Sequence, residues 1–566
     1  MEDQPHHLGT LTLPALLERS ARLYSDHPAL GFVDETPLRY AELKQQVDHL
    51  SAFLRDQGIV EGDKVSLIGE NSPNWGVAYL AVATMGAVIV PILPDFHTSE
   101  VHHILRHSES RAVFVSERFF HKVEEFRGLG CMVLLDDFSV INAETSKATL
   151  KQLLAEGSKE LKKIKNLVLR FAGLLQTKVT EESTASIVYT SGTTGHSKGV
   201  MLSHKNLVAN AMATTKIVSI GEHDRMLSIL PLAHVYECTL GFILPIMRGA
   251  AIYYLKKPPT AAVMVPALVS VKPTIMLSVP LIIEKMYKSR IIPEIRSKRI
   301  LRLVYKFPFL RKRINRIAGK KLLHTFGGEL KTFCIGGAPL SSEVEKFLRE
   351  AGFPYAIGYG LTETSPLVAG TDEKMTRFKS TGPALPGVEV KIDNPDPRTG
   401  EGEILVRGET VMQGYFHDPD RTAEVTTADG WFRTGDLGCF DAERYLYIKG
   451  RLKNVIVGPS GENIYPEAIE SVLNRSEAVL ESVVFQEQGL LAARVHLDYE
   501  KLDTEFTEQH LTEPQIHERI AGVLEEVRRQ VNEQVSSFSR IGKVIEQTEP
   551  FEKTPTQKIK RYLYTN

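Results

Sequence analysis

The chain has 566 residues, 43% of them apolar and 24% charged, with a formal net charge of −1. That length exceeds what one hydrophobic core supports, so several folded units are expected, and the composition excludes a disordered or fibrous chain. A pI near 7.0 leaves no global field to gather nucleic acid; no nucleic-acid partner is expected, and electrostatic recognition must be local.

The N-terminal MEDQPHHLGT lacks the basic start and apolar core of a signal peptide, which predicts a cytoplasmic protein. Cys131, Cys238, Cys334 and Cys439 stand far apart without a Cys-x-x-Cys pair, as suits a reducing compartment and not a zinc site. From about Leu13 to Gly450, helical periodicity alternates with short β-branched runs: KVSLIG (64–69), RAVFVS (111–116), LVLRF (167–171), ASIVYT (185–190), TIMLSV (274–279) and TFCIGG (332–337). This alternation predicts an α/β unit with wrapped, mostly parallel sheets. The most apolar stretch, YLAVATMGAVIVPILP (79–94), falls short of the ~20 residues that span a bilayer. It reads as a buried helix running into a buried strand.

Near residue 381 the texture changes to short alternating strands broken by Pro, Gly and Asp, predicting an antiparallel β unit over about 381–450 that closes a large N-terminal domain, 1–450. After GRLKNVIVGPSGENIYP (450–466) come two strand-like runs and a helix with Ile516, Ile520, Val523, Leu524, Val527 and Val531 on one face. A small mobile α+β domain, 451–566, is expected beyond this polar, glycine-bearing joint.

The stretch YTSGTTGHSKGVMLSH (189–204) carries the first chemical signal. ASIVYT supplies a strand and VMLSHKNLVANAM a helix, which leaves SGTTGHSKG as the loop between them. Gly192, Gly195 and Gly199 free backbone N–H groups, Ser191, Thr193 and Thr194 add hydroxyls, and Lys198 adds a cation, all suited to polyphosphate oxygens. The kinase and GTPase spacing Gly-x-x-x-x-Gly-Lys-Ser/Thr is not met, because Ser197 precedes Lys198 and Gly199 follows it.

This loop resembles the signature of the AMP-forming adenylating superfamily, the acyl-CoA synthetases, luciferases and adenylation domains, with Ser197 where the family usually has proline. Further motifs follow in order. PLAHVYE (231–237) resembles the segment near the carboxylate pocket, with His234 matching and Tyr236 as an aromatic gate. CIGGAPL (334–340) resembles the adenine-lining turn, in which Gly336, Gly337 and Ala338 would bring backbone close to a flat ring. In GYGLTET (358–364), Tyr359 beside Gly360 can stack on adenine, Thr362 can reach the α-phosphate and Glu363 can hold Mg²⁺. WFRTGDLG (431–438) resembles the ribose motif, with Asp436 accepting from the hydroxyls. GRLKN (450–454) resembles the hinge, with Arg451 contacting ribose or phosphate and Lys453 at the pivot. FEKTPTQKIKR (551–561) resembles the C-terminal catalytic motif; Lys558 falls on its lysine, while Glu552 and Gln557 replace a usual proline and glycine.

The resemblance implies a two-step reaction. A carboxylate is a poor acyl donor, so ATP supplies AMP as leaving group and pyrophosphate departs. Mg²⁺ on Glu363 and Thr190 would offset phosphate charge, and Lys558 would bridge carboxylate and α-phosphate. The C-terminal domain would then turn about Lys453 and present Ser460 and Gly461 of SGEN (460–463) on the CoA side.

Between Lys288 and Lys321 lie thirteen Lys/Arg residues and a single acid, Glu294, interleaved with Ile295, Leu301, Val304, Tyr305, Phe307, Phe309 and Leu310. Such a stretch suits the inner face of an anionic membrane, so peripheral membrane contact is expected. The whole pattern most resembles a long-chain fatty acid:CoA ligase using ATP, Mg²⁺ and CoA. An acyl carrier protein synthetase or fatty acyl-AMP ligase is the alternative, and a catalytically silent, membrane-associated nucleotide-binding scaffold the distant one. Oligomeric state is not set by these residues.

Overall fold

The computed structural model describes residues 8–141, 179–190, 197–297, 299–458, 463–508, 512–554 and 558–565. Its two largest sheets each contain eight strands. One runs Gly414–Tyr415, Lys198–Ser203, Thr184–Thr190, Val88–Ile92, Lys64–Ile68, Ser110–Val115, Cys131–Leu134 and Val140–Ile141 across its width. The other places Ile275–Ser278, Thr332–Ile335 and Tyr355–Gly360 side by side, with Arg225–Ser228, Ala251–Tyr254 and Pro28–Phe32 on the far side. Both are parallel inside and antiparallel at their edges, so the mixed α/β expectation holds.

The 79–94 run folds as read. Helix Pro73–Thr84 starts with Pro73 after a Ser72 cap and leads into the strand Val88–Ile92, buried along its length. Trp75 stacks on Tyr79 with ring centroids 5.3 Å apart, and both meet Phe242 edge-on at 6.0 and 5.8 Å. Phe242 and Leu30 of the other sheet also crowd Gly76, so this helix joins the two sheets into one continuous core.

One element differs from its prediction. VMLS is not the start of a helix: Lys198–Ser203 is a strand that folds back antiparallel on Thr184–Thr190, pairing Lys198 with Thr190. Val200 and Leu202 are buried in strand alternation, and the Ser203 hydroxyl accepts the Asn206 amide at 3.1 Å, so the helix begins only at His204. The two strands that flank the glycine-rich loop therefore pair with each other, antiparallel. LVLRF (167–171) lies outside the described residues.

The strands Val388–Asp393, Gly402–Gly408, Phe432–Phe440 and Leu446–Arg451 form an antiparallel four-stranded sheet. Beyond it, Val479–Glu487, Leu490–Leu497 and Lys543–Glu546 form a three-stranded sheet with its own core, onto which the apolar face of helix Glu513–Asn532 packs. Ile516, Ile520, Val523, Leu524, Val527 and Val531 all join that core.

Candidate active site

The antiparallel pair Thr184–Thr190 and Lys198–Ser203 brings the residues before and after the glycine-rich loop together. Thr190 closes one strand and Lys198 opens its partner, directly opposite; Ser191, Gly192, Thr193, Thr194 and Gly195 lie outside the described residues. Lys198 Nζ donates to Glu363 Oε1 at 2.7 Å and to Tyr415 Oη at 2.7 Å, and Tyr415 Oη donates to the same carboxylate oxygen at 2.9 Å. The ammonium also sits 4.3 Å from the centre of the Tyr415 ring. Burial alone would push Glu363 up, but the Lys198 charge and these hydrogen bonds hold its carboxyl below the ordinary value. It is a buried, ionised group.

Thr190 Oγ1 is buried with no partner among the described residues. A carboxylate has about four acceptor directions, and two donors occupy Glu363 Oε1. An orphaned hydroxyl and a spare carboxylate oxygen are hard ligands of the kind Mg²⁺ takes, so Thr190 and Glu363 fit the cation that the sequence implies.

Glu363 is set by the turn Thr362–Thr364 after strand Tyr355–Gly360. Asn210 Nδ2 holds that turn through the Thr364 and Leu367 carbonyls, at 3.1 and 2.8 Å. Gly360 cannot be replaced here, because a Cβ would lie 1.8 Å from the Pro366 carbonyl oxygen. One residue earlier, Tyr359 Oη donates to Asp436 Oδ2 at 2.7 Å, while Arg451 Nε lies 2.8 Å from Oδ1. Burial raises the Asp436 pKa, against the pull of Arg451, Tyr359 and Lys558.

Lys558 faces the same cleft. It is exposed, yet desolvation by the surrounding protein, followed by the Arg451 charge, lowers its pKa; Asp436 and Glu363 oppose that shift. It stands on a hairpin in which the Thr554 amide donates to the Lys558 carbonyl at 2.7 Å and Lys553 bridges Ile559. His234 lies within its field: burial and then Lys558 bring the imidazole down to about 4, so it is neutral at physiological pH.

Beside this polar cleft lies a small apolar pocket of about 40 Å³. Tyr236, Ile217, Leu240, Leu277, Ile357 and Leu367 are among its lining. Tyr236 stands at the glycine turn that follows strand Thr332–Ile335. Its hydroxyl donates to the Cys334 carbonyl at 3.2 Å, and its ring would lie 3.2 Å from a Cβ at Gly336. Gly337 takes φ +85°, which favours glycine, and Ala338 follows it in the same turn.

The structure thus brings together Thr190, Lys198, Glu363, Tyr359, Gly360, Thr362, Asp436, Arg451, Lys558, His234, Tyr236, Gly336, Gly337 and Ala338. Lys453 does not join them; it is exposed on the turn Leu452–Asn454 at the edge of the small core. Ser460 and Gly461 lie outside the described residues. Sequence reasoning missed Tyr415, whose only signal is a GYF run 217 residues from Lys198. It also missed Glu237, fully buried on a π-helical turn, where burial raises the carboxyl to about 8 and Ser228 Oγ donates to it at 2.6 Å.

A family model described as "AMP-binding enzyme" matches residues 17–416. The chain belongs to that family of AMP-binding enzymes. Among curated relatives, a long-chain-fatty-acid–CoA ligase of Drosophila melanogaster, heimdall, is 29% identical, covering 84% of this chain and 74% of its own. The chloroplastic long-chain-fatty-acid–[acyl-carrier-protein] ligase AEE15 of Arabidopsis thaliana is 28% identical, covering 97% and 84%. The fold matches the anthranilate CoA ligase AuaEII in complex with anthranoyl-AMP, with TM-score 0.75, 21% identity and coverage of 98% and 96%. It also matches o-succinylbenzoate CoA synthetase from Bacillus subtilis in complex with ATP and magnesium ion, with TM-score 0.72, 20% identity and coverage of 97% and 98%.

Proposed function

We propose that this protein activates a long-chain fatty acid as its acyl-adenylate, releasing pyrophosphate from ATP, and passes the acyl group to CoA. The observation that carries the reading is the position of Lys558. It faces Glu363, Asp436 and Arg451 across a cleft whose neighbouring wall, at Tyr236, leads into an apolar pocket. The 191–199 loop takes the β- and γ-phosphates. Tyr359 and the Gly336–Ala338 turn take adenine, and Asp436, fixed by Tyr359 and Arg451, takes the ribose hydroxyls. Thr190 and Glu363 would hold Mg²⁺, which would supply charge neutralisation on the phosphates. Lys558 holds the carboxylate against the α-phosphorus, and neutral His234 shapes the pocket around it without competing for that anion. Residues 451–566 then turn as a domain about Lys453, bringing Ser460 and Gly461 to the thiol.

The long-chain preference is supported by the long-chain acids that the curated relatives' names carry. A chain-length series of acids, read as thioester formed on CoA and on a phosphopantetheinylated acyl carrier protein, tests it. A maximum at long chains on CoA is expected; a maximum at short acids overturns the acid assignment. Preference for the carrier protein establishes the second reading, which AEE15, whose alignment covers 97% of this chain, favours.

The acid is proposed to arrive from an anionic bilayer. On helix Pro308–Thr325, Phe309, Arg313, Arg316, Ile317 and Lys320 share one exposed face, with Phe309 67% and Ile317 61% exposed. No helix among the described residues is long and apolar enough to cross a membrane. Not every cation of 288–321 serves this face. Arg311 makes a two-pronged contact with Glu350 at 2.7 and 2.9 Å, Lys321 pairs with Glu294, and Lys288 donates to the Asn474 carbonyl at 2.6 Å. Phe309→Ser with Arg313→Glu, Arg316→Glu and Ile317→Ser, leaving Arg311 intact, should abolish co-sedimentation with anionic liposomes; unchanged binding contradicts the surface assignment.

A further inference from the structure

The hairpin of Lys558 is tied to the three-stranded sheet by Lys553 with Glu481 and by Arg494 with the Tyr564 carbonyl, and a further set of contacts meets on one short helix, Pro466–Leu473. Its Glu467 and Glu470 are three residues apart and so share a face. Asn454, the last residue of the turn that contains Lys453, donates its side-chain amide to Glu467 Oε1 at 2.5 Å. Glu470, only 9% exposed, accepts from Arg561 Nη1 at 2.6 Å and from the Val484 amide at 2.7 Å, while Arg561 Nη2 donates to the Val484 carbonyl at 2.8 Å.

Arg561 stands three residues after Lys558 at the base of its hairpin, just beyond the Lys560–Glu552 backbone bond of 2.9 Å. A pair of this kind gives no more stability than apolar packing of the same volume. What a forked guanidinium adds is direction: it fixes the angle of its own backbone against its partner. The helix is therefore fastened at one carboxylate to the hinge turn and at the other to the hairpin that presents Lys558.

We propose that this helix is the link that carries rotation at the hinge to the catalytic hairpin, with Glu470 and Arg561 as positioning residues for Lys558. The inference rests on the reading of Lys558 given above. Hinge turn, helix and hairpin then move as one body, and Lys558 leaves the cleft without a separate loop motion.

Glu470→Gln keeps shape and removes the charge; Arg561→Lys keeps charge and removes the fork. Each should lower kcat for adenylate formation by roughly 10- to 100-fold, the scale expected of a misplacement of about 1 Å. KM for ATP and acid, and thioester formation from supplied acyl-adenylate, should stay near wild type, which also shows that the variants fold. Asn454→Ala combined with Glu470→Gln should lose about as much as the worse single variant, because both loosen one link; losses that multiply overturn the coupling. Lys558→Ala separates the two levels. If it cripples adenylation while Glu470→Gln and Arg561→Lys match wild type, the positioning role alone is overturned. If it leaves adenylation intact, the reading of Lys558 falls and the link falls with it.

Discussion

Lys558→Ala is expected to reduce acid-dependent pyrophosphate release by at least ~10²–10³-fold, the cost of removing one preorganised charge from a transition state, while thioester formation from supplied acyl-adenylate stays close to wild type. The asymmetry follows from where the lysine stands. Its field reaches Glu363, Asp436 and Arg451 on the nucleotide side of the cleft and His234 beside the carboxylate pocket, the groups around which charge develops in the first step. Equal losses in both half-reactions contradict the assignment. The pH dependence carries a second signature. Burial and Arg451 lower the Lys558 pKa, so the useful cation disappears as pH rises through a value below that of an ordinary lysine. The alkaline limb of adenylation should therefore fall earlier than lysine's usual pKa and be missing from what activity Lys558→Ala retains.

Glu363→Gln should be the second severe lesion, again by ~10²–10³-fold in adenylate formation. The substitution removes the charge on which Lys198 and Tyr415 converge and one of the two ligands proposed for Mg²⁺. It also leaves Lys198 without its 2.7 Å counter-charge, and losing one partner of a buried pair costs about 3–5 kcal/mol. The folded-state pKa of Glu363 lies below its ordinary value. The stability it contributes is therefore present above the unfolded pKa and is lost as pH falls through the folded one. Acid titration of the unfolding midpoint should show that limb in wild type and not in Glu363→Gln. A variant that keeps both the limb and the activity contradicts the role given to this carboxylate.

The parts of the site that were legible in the sequence are those written locally. Gly337 lies in one short glycine run, and Tyr359, Gly360, Thr362 and Glu363 lie within another five-residue run, so the chemistry of each run shows without a fold. The same holds for the buried helix and strand of 79–94, whose apolar runs admit few structures. The rest depends on partners that only folding supplies. Tyr415 meets Lys198 across 217 residues, and Arg311 looks like one more surface cation until Glu350, 39 residues on, takes both prongs of its guanidinium. The VMLS segment was misread because a short apolar run before a helix suits either state, and the pairing with Thr184–Thr190 decides it. Glu237 lacked any signal, since a lone acid in an apolar run does not announce burial.

The central claim, that this chain forms an acyl-adenylate before any thiol is involved, is tested most directly by exchange of labelled pyrophosphate into ATP with no CoA or carrier protein present. With Mg²⁺ and a long-chain acid such as palmitate, exchange should be rapid, should require the acid, and should be lost in Lys558→Ala. Absence of acid-dependent exchange with every chain length, from protein shown to bind ATP, would contradict it.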